Sequence, residues 1–316
     1  MKILANDGIS PNGVEELEAA GFEVSTTTVA QEQLENYINN ENIVVLLVRS
    51  ATKVRKNLID ACPSLKIIGR GGVGMDNIDV DYAREKGLHV INTPAASSES
   101  VAELVFAHLF SGVRFLYDSN RNMPLEGESK FKVLKKAYAK GTELRGKTLG
   151  VIGFGRIGQA TAKIGLGLGM KVVAFDPFME KATVTVPFFD GQSVTFNITI
   201  DSKEDVLKQA DFLTLHVPAQ KEFVIGKAEL ELMKDGAGLI NAARGGVVDE
   251  VAMVEALKSG KLAFAGVDTF ENEPTPAIQV LMNQKVSLTP HIGAATTQAQ
   301  ERIGSELATQ IISILK

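Results

Sequence analysis

The run Gly153-Phe154-Gly155-Arg156-Ile157-Gly158 follows the apolar stretch Leu149-Gly150-Val151-Ile152 and opens a helical pattern, and it constrains the chain more than any other feature. A strand, a glycine-rich turn and a helix in that order build an anion cradle at a helix N-terminus. The first glycine permits the tight turn, the second lets a pyrophosphate approach the backbone, and the third lets helix and strand pack closely. The next apolar strand, Lys171 to Phe175, is followed by Asp176, 18 residues beyond Gly158. An acid near that spacing accepts from ribose hydroxyls and repels a 2′-phosphate, which favours NAD over NADP. Lys181 is the nearest cation that a 2′-phosphate would find.

Around this motif, short apolar runs alternate with helical patterns, the signature of βαβ units and parallel sheets. The first series has strands at Ile3 to Ala5, Phe22 to Thr26, Ile43 to Val48, Leu65 to Gly69 and Leu88 to Asn92. The second begins at Thr148 and continues through Lys171 to Phe175, Phe212 to Leu215, Gly238 to Asn241, Phe264 to Val267 and Val286 to Leu288. The expected fold class is α/β, with two Rossmann-like or flavodoxin-like parallel-sheet domains separated by a cleft. The expected boundaries are 1–95 plus 293–316 for a discontinuous substrate domain and 96–292 for the cofactor domain, with the last helical pattern, Thr296 to Leu315, folding back on the N-terminal unit. Ser10 can cap the first helix. Ser97 to Val113 reads as one apolar helix, with Ser100 and Glu103 spaced as a capping box. Phe115 to Leu144 reads as irregular and charged. Asp190-Gly191, flanked by alternating stretches, predicts a β-hairpin with Pro187 on an edge strand.

The 316 residues carry 33 Lys and Arg against 38 Asp and Glu, without a basic block of the kind nucleic acid needs. No apolar run approaches the ~20 residues that cross a bilayer, so neither nucleic acid nor membrane is an expected partner. A lone Cys62 excludes an internal disulfide and a multi-cysteine zinc site, and with a strand starting at Lys2 it suggests a cytoplasmic protein.

Ligands of open α/β sheets gather beyond the carboxyl ends of the strands. Those ends present His216-Val217-Pro218, Asn241-Ala242-Ala243-Arg244, Asp268 and Pro290-His291 in the second series, and Arg49-Ser50, Arg70-Gly71-Gly72-Val73-Gly74 and Asn92-Thr93-Pro94 in the first. Across a cleft between the domains the two sets would converge. Oxidising an alcohol needs a base beside the cofactor and a cation for an anionic substrate. Of four histidines, His108 lies in the apolar helix and His89 starts a buried-looking strand, so both are assigned packing roles. His291 is favoured as the acid–base group and His216 as part of the cofactor pocket. Glu273 can orient the imidazole, and Arg244 can grip a carboxylate with a two-pronged fork. No metal is expected.

The successive stretches Gly153 to Gly158, Asn241 to Asp249, Val267 to Pro274 and Pro290-His291-Ile292-Gly293 resemble the signatures of the D-2-hydroxyacid dehydrogenases over nearly the whole chain. Val48 to Val54, Gly69 to Asn77, Gly141 to Leu144 and Gly146-Lys147-Thr148 narrow the likeness to the phosphoglycerate-oxidising branch. The resemblance implies NAD-dependent oxidation of D-3-phosphoglycerate, the entry to serine biosynthesis. A glyoxylate, hydroxypyruvate or D-lactate dehydrogenase, and an NAD(H)-sensing corepressor-like protein, are the alternatives. It makes Arg244 the substrate-orienting cation, Glu273 the carboxylate behind the histidine, and His291 the proton donor and acceptor. It places Gly153, Phe154, Gly155, Arg156, Ile157, Gly158, Asp176, His216, Val217, Pro218, Ala242, Ala243, Arg244, Asp268, His291 and Gly293 around the cofactor. Asp176 would meet the ribose, and Asp268 with the Ala242 to Arg244 backbone the carboxamide. Arg49, Ser50, Lys53, Arg70, Gly72, Val73 and Gly74 would bind the small anionic 2-hydroxy acid, the cations serving its phosphate. A homodimer paired through Ser97 to Leu144 is also implied. The end at Lys316 leads to the expectation of no appended serine-sensing domain and no inhibition by serine.

Overall fold

The computed structural model describes residues Met1–Lys316, which divide into two compact units. Unit 1 comprises Met1–Ser100 and Ala294–Lys316. Its strands are β1 (Lys2–Ala5), β2 (Glu23–Ser25), β3 (Ile43–Val48), β4 (Ile67–Arg70) and β5 (His89–Asn92). Helices α1 (Pro11–Ala19), α2 (Leu34–Glu41), α3 (Lys56–Ala61) and α4 (Val80–Glu85) connect them, and α5 (Ser98–Val113) starts at the end of its first segment. The sheet is wholly parallel in the order β2-β1-β3-β4-β5. The order reverses between β1 and β3, so their carboxyl ends flank a crevice in which ligands of such sheets bind.

Unit 2, Val101–Gly293, holds the rest of α5 and α6 (Leu116–Ala137), then β6 (Thr148–Ile152), α7 (Arg156–Gly167) and β7 (Lys171–Phe175). A hairpin of β8 (Lys181–Pro187) and β9 (Ser193–Thr199) follows, then α8 (Lys203–Gln209), β10 (Phe212–Leu215), α9 (Lys227–Leu232) and β11 (Ala237–Asn241). The series closes with α10 (Glu250–Ser259), β12 (Leu262–Val267), α11 (Ile278–Leu281) and β13 (Val286–Leu288). The six-stranded sheet is also all parallel, ordered β13-β12-β11-β10-β6-β7, with its switch point between β6 and β10. Each unit is thus a doubly wound α/β sheet, the expected fold class.

The last helix, α12 (Thr297–Leu315), belongs to unit 1. Ile303, Leu307 and Ile311, spaced one helical turn apart, are buried with Ile3, Leu17, Val45 and Leu47. The hairpin forms as the sequence indicates, antiparallel from Lys181↔Thr199 to Pro187↔Ser193. Val184, Val186 and Ile198 are buried, while Thr185 and Thr195 face each other at 3.0 Å on the exposed side.

Four local expectations change. The segment after Phe115 is not irregular: α6 runs for 22 residues, broken only by non-helical backbone at Lys130. Pro124 and the scarcity of buried positions, Leu134 being the buried residue of α6, hide its period. Tyr138 donates to Asp118 and accepts from Asn122, both at 2.8 Å, tying the helix end to its start. Ser100 lies inside α5 rather than at its N-cap, because the helix already begins at Ser98. Ser10 stands at the N-cap of α1 without a side-chain capping bond. His89 is exposed rather than buried, being the first residue of β5, where the strand emerges from its loop. No helix is long and apolar enough to cross a membrane.

Candidate active site

The glycine turn of unit 2 has the backbone its residues imply. Gly153 sits at φ +89, a conformation that side chains disfavour, and a Cβ there would stand 2.5 Å from the His216 carbonyl. A Cβ on Gly158 would come within 2.2 Å of the Gly153 carbonyl, so only glycine lets α7 meet the turn. Gly155 has open space where a side chain would be, and it caps α7 without a side-chain bond. The first N–H groups of a twelve-residue helix therefore face outward beside a backbone that a bulky anion can approach.

Asp176 at the end of β7 is held against this turn. One carboxylate oxygen accepts from the Phe154 amide at 2.8 Å and the other from the Phe178 amide at 2.9 Å. Each oxygen keeps a second lone pair for a ribose hydroxyl. A cradle open at Gly155, an uncapped helix start and a fixed acid form the donor and acceptor set that a dinucleotide requires. Phe154, Arg156 and Ile157 complete the turn.

The His216 imidazole is held by two threonine hydroxyls. Its Nε2 lies 3.2 Å from Thr161 Oγ1 and 3.1 Å from Thr214 Oγ1. Because the Thr161 hydroxyl donates to the Ile157 carbonyl, it accepts from the ring, which puts the ring proton on Nε2. Burial pushes the His216 pKa down to about 3, so the ring is neutral. Its carbonyl and the Val217 side chain pack beneath Gly153, with Pro218 continuing the segment.

The turn after β11 is built by Asn241, the last residue of the strand. Buried Asn241 accepts from the Ala243 amide at 3.1 Å and donates to the Arg244 carbonyl at 3.0 Å, which curls Ala242 to Arg244 around its side chain. The Arg244 guanidinium donates to the Ala243 carbonyl at 2.7 Å. Gly245 then passes so close to the next loop that a Cβ would lie 1.8 Å from the Phe270 carbonyl.

That next loop carries Glu273 and is pinned from two sides. The Glu273 Oε1 accepts from the Phe270 amide at 3.0 Å. The Glu250 carboxylate accepts from the Glu271 amide at 2.9 Å while Glu271 accepts from the Glu250 amide at 2.8 Å, a reciprocal clasp to the start of α10. Burial, reinforced by the neighbouring Glu271 charge, pushes the Glu250 carboxyl upward.

The free oxygen of Glu273 meets His291 Nδ1 at 2.8 Å. Facing a carboxylate acceptor, the tautomer of the ring that carries its proton on Nδ1 presents a bare Nε2. Both side chains are about two-fifths exposed, open enough to meet a ligand. His291 has φ +55, and its amide donates to the carbonyls of Asp268 and Thr289 at 2.8 and 3.1 Å. Asp268, 1% exposed, accepts from Thr289 Oγ1 at 2.6 Å, the Ile292 amide at 2.8 Å and the Gly293 amide at 2.9 Å. The Asp268 carboxylate thus shapes the histidine loop.

In unit 1 the anion-binding candidates are arranged by Asp7 and Asn77. Asp7, just past β1, accepts from the amides of Arg49 and Thr52 at 2.6 and 3.1 Å and from the Thr52 hydroxyl at 2.6 Å. Asn77 donates to the Arg49 and Thr52 carbonyls at 2.8 and 2.6 Å. The loop Arg49-Ser50-Ala51-Thr52-Lys53 is therefore wrapped around two polar side chains at the switch point. Arg70 behaves otherwise: its Nη1 donates to the Gly71 carbonyl at 3.2 Å and lies where a Cβ on Gly72 would be, 1.5 Å away. Gly72, at φ +142, is the residue that admits this fold-back. The Val73 carbonyl accepts from Asn92 at 2.8 Å, fixing the turn that continues into Gly74.

Asp7, Asn77, Glu250 and Glu271 were given no role from the sequence because each acts through partners distant in the chain, and Asn241 was placed at a strand end without one. The residue type at a strand end was the available signal for Asp7 and Asn241.

Comparison with known proteins gives the family. The family model "D-isomer specific 2-hydroxyacid dehydrogenase, NAD binding domain" matches residues 106–293. D-3-phosphoglycerate dehydrogenase of Methanocaldococcus jannaschii is 40% identical over all of this chain, which spans 58% of that protein's length. Hydroxypyruvate reductase of Thermotoga maritima is 42% identical over 93% of this chain and 91% of its own. Among solved structures, a D-lactate dehydrogenase from Aquifex aeolicus complexed with NAD and lactic acid superposes with a TM-score of 0.77 at 30% identity, over 100% of this chain and 95% of that one. The glycine turn and its acid lie inside a domain whose family binds NAD, and the chain belongs to the D-isomer-specific 2-hydroxyacid dehydrogenases.

Proposed function

We propose that the chain oxidises D-3-phosphoglycerate to 3-phosphohydroxypyruvate. The observation that carries the chemistry is the Glu273–His291 pair, which orients a bare imidazole nitrogen at the end of β13. His291 Nε2 accepts the proton of the substrate hydroxyl, and Glu273 stabilises the imidazolium that results. Arg244 holds the substrate carboxylate in the fork of its guanidinium. NAD, when bound, supplies the two-electron acceptor. The turn at Gly153 to Gly158 would hold its pyrophosphate and Asp176 its ribose, with Ala242, Ala243 and Gly293 closing the nicotinamide side.

The family likeness also implies that Arg49 and Lys53 would serve the substrate's phosphate and that the Gly72-Val73-Gly74 amides would share its carboxylate with Arg244. The likeness to phosphoglycerate dehydrogenases supports this choice. The hydroxypyruvate reductase of similar identity favours a second reading, reduction of an unphosphorylated 2-oxo acid by the same residues. Initial rates with D-3-phosphoglycerate, D-glycerate and D-lactate, each with NAD and NADP, separate the two. The expected result is a preference for the phosphorylated acid with NAD. Faster turnover of D-glycerate would select the second reading, and equal rates with NADP would remove Asp176 from its ribose role.

We also propose a homodimer. Leu125, Phe131 and Val133 on α6 are 81%, 57% and 63% exposed and Phe110 on α5 is 41% exposed, apolar side chains that a second copy would cover. Light scattering should return twice the chain mass of 33.9 kDa, and a monomer at micromolar concentration would contradict it.

A further inference from the structure

His108 on α5 is buried, and both of its ring nitrogens have partners. Nδ1 lies 2.9 Å from Ser287 Oγ and Nε2 lies 3.0 Å from Thr289 Oγ1. Ser287 and Thr289 are two residues apart on and just beyond β13, so strand alternation puts both hydroxyls on one face. Gly266 is the register partner of Ser287 on β12, and a Cβ there would stand 2.6 Å from His108 Cβ. The missing side chain on β12 is the slot through which the imidazole reaches β13.

The direction of each hydrogen bond follows from chemistry. Asp268 accepts from the Thr289 hydroxyl at 2.6 Å, which commits that hydrogen. Thr289 must therefore accept from His108, so the ring proton resides on Nε2. Nδ1 is left to accept from Ser287, and burial holds the His108 pKa below the ordinary histidine value against the opposing pull of Asp268. The chain runs from Ser287 through His108 and Thr289 to Asp268, whose two oxygens bind the amides of Ile292 and Gly293. The residues on both sides of His291 thus end on one polar relay, which also sustains its left-handed backbone.

We infer that His108 is a positioning residue: as a neutral Nε2–H tautomer it orients Thr289 and Asp268, and through them the backbone that aims His291. This rests on the reading of His291 as the acid–base group. It also assigns a task to a buried histidine whose two ring nitrogens are both engaged.

The test compares H108L, which removes both polar contacts, with H108Q, whose amide can donate to Thr289 and accept from Ser287. Hydrogen exchange at the Ile292 and Gly293 amides is the readout independent of turnover, with the Thr148 amide, bonded to Asp211, as the control within the same unit. In H108L the two loop amides should exchange about tenfold or more faster, with kcat reduced about 10- to 100-fold, the scale on which a misplacement of up to about 1 Å acts. The control should hold its rate, and H108Q should restore both quantities. Nitrogen-15 spectra of the wild-type protein should show His108 protonated at Nε2 alone. Unchanged loop exchange in H108L, equal acceleration at Thr148, no recovery in H108Q or a proton on Nδ1 would each overturn the inference. If H291N kept wild-type kcat, the acid–base reading would fall, while the exchange result would still decide what His108 does.

Discussion

The His291→Asn enzyme is expected to turn over about 10² to 10⁴-fold more slowly, the range that a positioned general acid–base group contributes. Asparagine is the informative replacement because it accepts a positive φ more readily than most residues, and His291 stands at φ +55. The loop can therefore keep its shape while the titratable nitrogen is lost. Because Asp268 holds the amides of Ile292 and Gly293 rather than the imidazole, the loop's anchors survive the substitution. NADH binding, followed by fluorescence, should persist while kcat collapses. Wild-type kcat in H291N would remove His291 from the chemistry. Glu273→Gln should fall between, because the amide oxygen still accepts from Nδ1 at 2.8 Å but no longer balances a charged ring.

Arg244→Ala is expected to lower kcat/KM by roughly 10² to 10⁴-fold. Two hydrogen bonds from a guanidinium to a carboxylate, at about 1.5 to 3 kcal/mol each, set that range. Part of the loss should appear in kcat, since a substrate held by one end only presents its hydroxyl poorly to His291. Arg244→Lys should recover only part of it, because an ammonium cannot reproduce the planar fork. Steady-state kinetics across substrate concentration separate the two components. An R244A enzyme with unchanged kcat/KM would show that the carboxylate is gripped elsewhere. Asn241 bonds the Arg244 carbonyl and the Ala243 amide, so the turn is expected to survive the replacement of the side chain.

Much of the fold was legible because its signals are local. Both all-parallel sheets follow from apolar runs alternating with helical periods, and Ile303, Leu307 and Ile311 face the core of unit 1 at the spacing the sequence displays. The hairpin followed from Asp190-Gly191 between alternating stretches. The segment after Phe115 was illegible for the converse reason. Its helix contains Pro124, and Lys130 leaves helical geometry, so neither period nor propensity announces it. His89 was misplaced because strand composition does not say where along the strand burial begins.

The sequence by itself determined the glycine turn, the acid 18 residues beyond it, and the positions of Arg244, Glu273 and His291 after successive strands. Strand ends are where a parallel sheet exposes its backbone to ligands, so residue type and order were enough. Only the tertiary structure decided how those residues are held. The Glu250–Glu271 clasp joins amides 21 positions apart, Asn77 binds the Arg49 carbonyl across 28, and His108 reaches Ser287 across 179. Arg70 turning back onto Gly72 and His216 lying beneath Gly153 are likewise matters of side-chain direction. Buried polar groups must find partners wherever the fold brings them, and that pairing has no period in the chain.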